Sequence, residues 1–153
     1  MTAGSTAPEL DRAVVRAEGL SKVYGEGDTM VVALDAVDVT LTAGQFTAIM
    51  GPSGSGKSTL MHCLAGLDSS TGGRVIVGDQ DLTTLSDNAL TIMRRDKVGF
   101  VFQAFNLVPT LNAIENITLP MDIAGRKPDQ AWLDQVIADL GLADREAGFQ
   151  GGR

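Results

Sequence analysis

The sequence predicts an α/β fold, because strand-like apolar runs alternate with helix-forming stretches along the chain. Residues 45–50 ("QFTAIM") and 97–103 ("KVGFVFQ") have the length and continuity of buried strands. A glycine-rich loop at residues 51–58 joins the first of these runs to the helix-forming "KSTLMHCLAGL". Further on, "PDQAWLDQVIADL" places Trp132, Leu133, Val136, Ile137 and Leu140 on one face at helical spacing.

The elements follow in order. Residues 1–12 read as a flexible polar leader without the basic-then-apolar layout of a signal peptide. "AVVRAEGLSKVY" and "MVVALDAVDVTLT", separated by the turn "GEGD", read as strands. After the glycine loop and its helix, "RVIVGDQDL" is a strand with a polar exit. Ser86 stands where a helix N-cap would, ahead of "DNALTIMRR" with its basic last turn. Past residue 103 the texture becomes loops and short helical pieces, until Pro128 opens a helix that Gly141 closes. The domain reading is a leader at 1–12, an α/β core at 13–103, a helical portion at 104–145 and a divergent tail at 146–153.

Composition narrows the function classes. A chain of 153 residues that is 44% apolar and 20% charged suits one globular domain. A net charge of −7 opposes general binding to nucleic acid, whose phosphates require a basic face. No apolar run reaches the roughly eighteen residues of a membrane-spanning helix. Cys63 is the single cysteine, so no internal disulfide is available, and these traits together fit a cytosolic chain. His62 and Cys63 lack partners at metal-ligand spacing, so both are read as packing residues, as are the six scattered methionines.

The chemistry is concentrated in "GPSGSGKS". It matches G-x-x-x-x-G-K-[ST] and stands between a strand and a helix, as its mechanism requires. Glycines let backbone N–H groups converge on phosphate oxygens, and the helix that follows adds the positive end of its dipole. Lys57 would reach the outer phosphates and the Ser58 hydroxyl would hold Mg²⁺. A GTPase would need an N-K-x-D motif, which is absent. "DIAG" at residues 122–125 matches D-x-x-G only formally, because Pro120 interrupts the strand that should precede it. The same proline argues against "ITLPMD" as a strand ending in a catalytic carboxylate.

The flanking residues carry a resemblance. "LSKVYGEGD", "ALDAVDVTLTAGQFTAIMGPSGSGKSTLMHCLAGLDSSTGG" and "RRDKVGFVFQAFNLVPTLNAIENITLPM" resemble the ATP-binding subunit of ABC transporters, especially the lipoprotein-releasing and macrolide-export branch. The resemblance covers about residues 13–145 and implies a RecA-like P-loop core with an N-terminal antiparallel β subdomain and the start of a helical subdomain. It implies ATP and Mg²⁺ as ligands. Tyr24 would be the aromatic that stacks on adenine, and Gly51, Pro52, Ser53, Gly54, Ser55, Gly56, Lys57, Ser58 and Thr59 would form the phosphate site (Walker A). Gln103 would join Lys57 in catalysis, help Ser58 hold Mg²⁺ and relay nucleotide state to a membrane permease. Residues 104–111, with Phe105, Leu107 and Val108, would meet that permease or else form local core. A second ATP-binding subunit is the other implied partner, at the cytoplasmic face of the membrane.

The family pattern continues with an L-S-G-G-Q signature, an Asp-Glu strand end and a switch histidine, and the 153 residues contain none of them. The terminal "FQGGR" is only faintly similar to the signature and lacks its serine. The expectation is therefore a chain carrying half of the fold, with some strands lacking neighbours, weak ATP binding and negligible hydrolysis. A catalytically inactive nucleotide-binding fragment and a P-loop ATPase or kinase outside transport are the alternative readings.

Overall fold

A computed structural model describes residues 12–102, 104 and 106–142. The leader up to residue 11, Gln103, Phe105 and the tail from residue 143 lie outside the described residues. The chain divides into two compact units between Arg94 and Arg95.

The first unit is built on an antiparallel sheet in the order β2-β1-β3-β4. β1 (Ala13–Tyr24) and β2 (Val31–Thr42) form a long hairpin, joined through the short 3-10 turn Gly27–Thr29. Valine- and threonine-rich sequence favours this pleated arrangement, and the glycine-bearing "GEGD" supplies the reversal. β3 (Gly72–Val77) pairs with the other edge of β1 and is followed by the two-residue β4 (Gln80–Asp81). The β1–β2 register shifts beside Gly19, where side chains replace lost ladder bonds: Asp38 Oδ1 accepts from Gly19 N at 2.7 Å, and Ser21 Oγ accepts from Ala36 N at 3.0 Å.

α1 (Lys57–Leu64) packs on this sheet through Cys63 and Leu64, which join Ala17, Leu20, Leu34 and Val75 in the core. Burial pushes the Cys63 thiol pKa up. His62, read from sequence as a packing residue, is instead exposed one position earlier on the same helix. Leu82 and Met93 are buried as well. Met93 is also the only buried methionine among the described residues, so the reading of the methionines as core filler fails for Met30, Met50, Met61 and Met121. α2 (Asp87–Lys97) starts as expected at Ser86, whose Oγ accepts from Ala89 N at 3.3 Å.

Two expected strands are not paired. Residues 45–50 carry no ladder partner, and Phe46 is 97% and Met50 87% exposed. Residues 98–102 are likewise unpaired, Val101 is fully exposed, and Phe100 stacks on Phe102 with ring centroids 5.7 Å apart. The physical reason is direct. An apolar run becomes a buried strand only between hydrogen-bonded neighbours, and the described sheet offers these segments none.

In the second unit, α3 (Ala113–Ile123) and α4 (Gln130–Asp139) supply the order. α3 opens with a reciprocal cap: Asn112 Oδ1 accepts from Glu115 N at 2.9 Å, and Glu115 Oε2 accepts from Asn112 N at 2.7 Å. Pro120 lies inside this helix, so the segment containing Asp122 is helical and neither formal motif match stands. α4 begins two residues later than its proline, with Asp129 accepting from Trp132 N at 3.1 Å as N-cap. Leu142 N and Gly141 N bond back to Ile137 O and Ala138 O, which ends the helix at Gly141 (φ +64°). Leu133 and Ile137 are buried while Trp132 and Leu140 are both 62% exposed, so only part of the expected apolar face is covered.

Candidate nucleotide-binding site

The phosphate loop runs from the unpaired residues 45–50 into the first turn of α1. Gly51, Gly54 and Gly56 take φ of +154°, +79° and +82°. Gly56 is the N-cap of α1 in left-handed conformation, and a Cβ there would run into the carbonyl oxygen of Ala33 on β2. At Gly51 a Cβ would come within 2.9 Å of Ser55 Oγ. The backbone is thus kept bare of side-chain carbon on the path of the loop, with the free N–H groups of the helix start beyond it. Lys57 Nζ lies over the loop, donating to Pro52 O at 2.5 Å and reaching Ser55 Oγ at 3.5 Å. Pro52, Ser53, Gly54, Ser55 and Ser58 are exposed; Lys57 and Thr59 are partly covered. Glycine backbone at positive φ, one ammonium and short hydroxyl side chains at a helix start are groups that suit a polyphosphate.

Tyr24 ends β1, and its environment was not legible in the sequence. Its hydroxyl donates to Asp68 Oδ2 at 2.7 Å, while Asp68 Oδ1 accepts from Lys22 Nζ at 2.6 Å. Lys22 Nζ also donates to Ser69 O and lies 4.9 Å from the centre of the Tyr24 ring. Lys22 is only 7% exposed and is the one buried charged residue among the described residues. The Asp68 carboxyl is held below its ordinary 3.8, first by the Lys22 hydrogen bond and then by the Tyr24 hydroxyl. The Tyr24 phenol is held above its ordinary 10.0, chiefly by its bond to Asp68, with the neighbouring Thr59 hydroxyl acting in the opposite sense. Gln103, the remaining residue expected at the site, lies outside the described residues.

A cavity of about 440 Å³ opens at the other end of α1, lined in part by Cys63, Asp68, Leu82, Leu90 and Arg94. Arg94 donates to the carbonyl of Gly66 there and to Thr91 Oγ1 at 3.0 Å. The guanidinium is thus engaged by the carbonyl just past the C-cap of α1 and by its own helix, which accounts for Arg94 without a ligand.

Of the segment expected to meet a permease, Leu107 is 66% exposed, Val108 is half-buried, and Phe105 lies outside the described residues. A residue that sequence reasoning passed over organises this loop. Asn116, on α3, accepts from Val108 N at 2.8 Å and donates to Val108 O, Leu111 O and Asn112 O at 3.2, 3.1 and 2.9 Å. One side chain therefore ties the loop backbone at Val108 and Leu111 to the start of α3, its two N–H donors shared among three carbonyls. Asn116→Ala is expected to cost about 1–3 kcal/mol and to speed hydrogen exchange at the Val108 amide. Unchanged protection of that amide would refute the clamp.

The family model described as ABC transporter matches residues 34–151. The chain belongs to that family. Among curated ABC relatives, it is 39% identical over 135 residues to the lipoprotein-releasing system ATP-binding protein LolD of Idiomarina loihiensis, covering 87% of this chain and 59% of the relative. It is 40% identical over 146 residues to the macrolide export ATP-binding/permease protein MacB of Brucella abortus, covering 92% of this chain and 23% of the relative. Among solved structures, it resembles the Methanocaldococcus jannaschii ATP-binding cassette MJ0796, a dimer in a post-hydrolysis state bound to ADP and Pi. There the TM-score is 0.71 at 39% identity, over 85% of this chain and 57% of the other. The chain thus spans little more than half the length of the LolD relative and less of MacB. No helix among the described residues is long and apolar enough to cross a membrane.

Proposed function

We propose that the chain is the nucleotide-binding portion of an ABC transporter ATPase subunit, taking Mg-ATP through residues 51–59 with adenine on Tyr24. The observation that carries this reading is the phosphate loop itself. Three glycines at positive φ lead into a helix that begins at the lysine of the motif, and the Lys57 ammonium reaches back to the Pro52 carbonyl of the loop. Lys57 would neutralise the outer phosphates, and Ser58 with Gln103 would hold Mg²⁺, which offsets charge on the phosphate oxygens when bound. Residues 13–103 would be the ATP-binding core and 104–145 the start of a helical subdomain.

In the complete assembly, hydrolysis would drive export or extraction of a substrate by a membrane permease. Residues 104–111 would meet that permease, and a second ATP-binding subunit would close the site from the opposite side, at the cytoplasmic face of the membrane. Support comes from the family match and from relatives named as a lipoprotein-releasing system ATP-binding protein and a macrolide export ATP-binding/permease protein. The 153 residues hold no L-S-G-G-Q segment, so hydrolysis by this chain alone is expected at background.

Calorimetric titration tests the reading. Mg-ATP binding is expected to weaken about 10- to 100-fold in Lys57→Ala, the loss of one charge-assisted contact to phosphate. Equal affinity in the two chains would overturn the assignment, and Lys57-dependent turnover by the chain alone would overturn the expectation of background hydrolysis.

A further inference from the structure

We propose that Asp68 is a positioning residue for the nucleotide: its carboxylate ties the Tyr24 ring to α1 and so sets the adenine platform at a fixed reach from the phosphate loop. This rests on the reading of Tyr24 as that platform.

Four observations converge on Asp68. Its two oxygens are divided between partners on β1, Oδ1 to Lys22 and Oδ2 to Tyr24. Its own backbone N–H, with that of Leu67, bonds to the carbonyl of His62, so the carboxylate is fixed to the C-terminal turn of α1. The other end of α1 is Lys57, in the phosphate loop. A helix of eight residues is a strut of about 12 Å, and Asp68 joins its far end back to the strand that ends in Tyr24. The fourth observation is Lys22. Buried between Asp68, the Ser69 carbonyl and the ring, its ammonium occupies one side of Tyr24 at 4.9 Å from the ring centre. A base stacking on this tyrosine therefore has the opposite face available. Rotation about χ1 would break the Tyr24–Asp68 bond; the hydroxyl lies on the χ2 axis, so turning about χ2 keeps that bond but takes the ring face away from the ammonium.

The consequence is pre-organisation. Binding a base to a freely rotating tyrosine requires that side chain to be ordered, at about 0.5–1.5 kcal/mol, and a ring already held avoids the cost. This term concerns the adenine alone. It leaves the binding of a bare polyphosphate to residues 51–59 untouched, which separates positioning from general support of the fold.

The test compares Mg-ATP with magnesium tripolyphosphate, titrated calorimetrically into the full chain and into Tyr24→Ala, Tyr24→Phe and Asp68→Asn. Tyr24→Phe keeps the stacking face and removes only the tether, so it stays informative if the Asp68 variant folds poorly. The expected result is an affinity for ATP roughly 2- to 10-fold lower in Tyr24→Phe and Asp68→Asn, with tripolyphosphate affinity unchanged. Tyr24 is the only tyrosine, so its ionisation can be followed by absorbance. Its alkaline midpoint is expected to fall in Asp68→Asn, because the neighbouring carboxylate no longer opposes a phenolate. Loss of ATP affinity in Tyr24→Ala alone would overturn the positioning role while leaving the platform standing. Wild-type ATP affinity in Tyr24→Ala, or no ATP binding by the unmodified chain, would overturn both. Parallel loss of ATP and tripolyphosphate in Tyr24→Phe would reduce the tether to a structural bond and overturn the proposal.

Discussion

Gly56→Ala is expected to abolish usable nucleotide binding, weakening Mg-ATP by about 100-fold or more, and to lower stability at the same time. Two costs coincide at this position. The backbone sits at φ +82°, where a residue with a Cβ is strained by about 1–3 kcal/mol. The added carbon also meets the Ala33 carbonyl of β2, a backbone group that cannot swing aside as a side chain would. Relief requires α1 to move off the hairpin or the loop to change conformation. Either movement shifts the helix start and Lys57 away from the arc that would receive phosphate. Gly54→Ala separates the two costs. Gly54 has a similar φ of +79°, but a Cβ there meets nothing within 4 Å. Its stability loss should be limited to the backbone strain, about 1–2 kcal/mol. Denaturant melts and ATP titrations of the two variants make the comparison. Equal behaviour of both would show that the approach to Ala33 does not govern the loop.

The contrast between these glycines also shows what sequence can carry. The phosphate loop is contiguous, so its residue types and spacing state the chemistry without any knowledge of the fold. Local devices are equally legible: Ser86 as an N-cap and Gly141 as a helix end both stand where the sequence places them. Pro120 correctly excluded a strand at Asp122. It did not reveal that α3 continues through it, at the loss of a single backbone bond to the Asn116 carbonyl. The apolar runs at 45–50 and 98–102 announce a demand for burial, but a demand does not name its partner. In the structure that demand is unmet, with Phe46 and Val101 in the open. The Lys22–Asp68–Tyr24 group was invisible for a different reason. Asp68 is 46 residues from Lys22 and 44 from Tyr24, and each alone reads as an ordinary polar residue. Only the pairing of β1 with the turn after α1 brings them together.

That group supports the second large effect, an asymmetry between removing its two charges. Asp68→Ala leaves the Lys22 ammonium buried with the Ser69 carbonyl and an aromatic face as its remaining partners. Stranding a buried charge costs about 3–5 kcal/mol; because the Asp68 side chain is 29% exposed and water enters on that side, roughly 2–4 kcal/mol is expected. Lys22→Met removes the ammonium and keeps an apolar stem in the same space. Asp68 then retains the Tyr24 hydroxyl and partial hydration, so the loss should stay below about 2 kcal/mol. The pH dependence has a definite sign on each limb. Asp68 is depressed below 3.8 in the fold, so its contribution is complete above that value and is lost as pH falls through the still lower folded value. Lys22 is raised above 10.5, first by the Asp68 hydrogen bond, so its contribution is complete below that value and is lost as pH rises through the higher folded value. Urea melts of the native chain and Asp68→Ala should therefore differ by a constant amount between about pH 5 and about pH 9 and converge in acid. A difference that persists undiminished well below pH 3.8 would mean that Asp68 stabilises the fold by packing and not by charge.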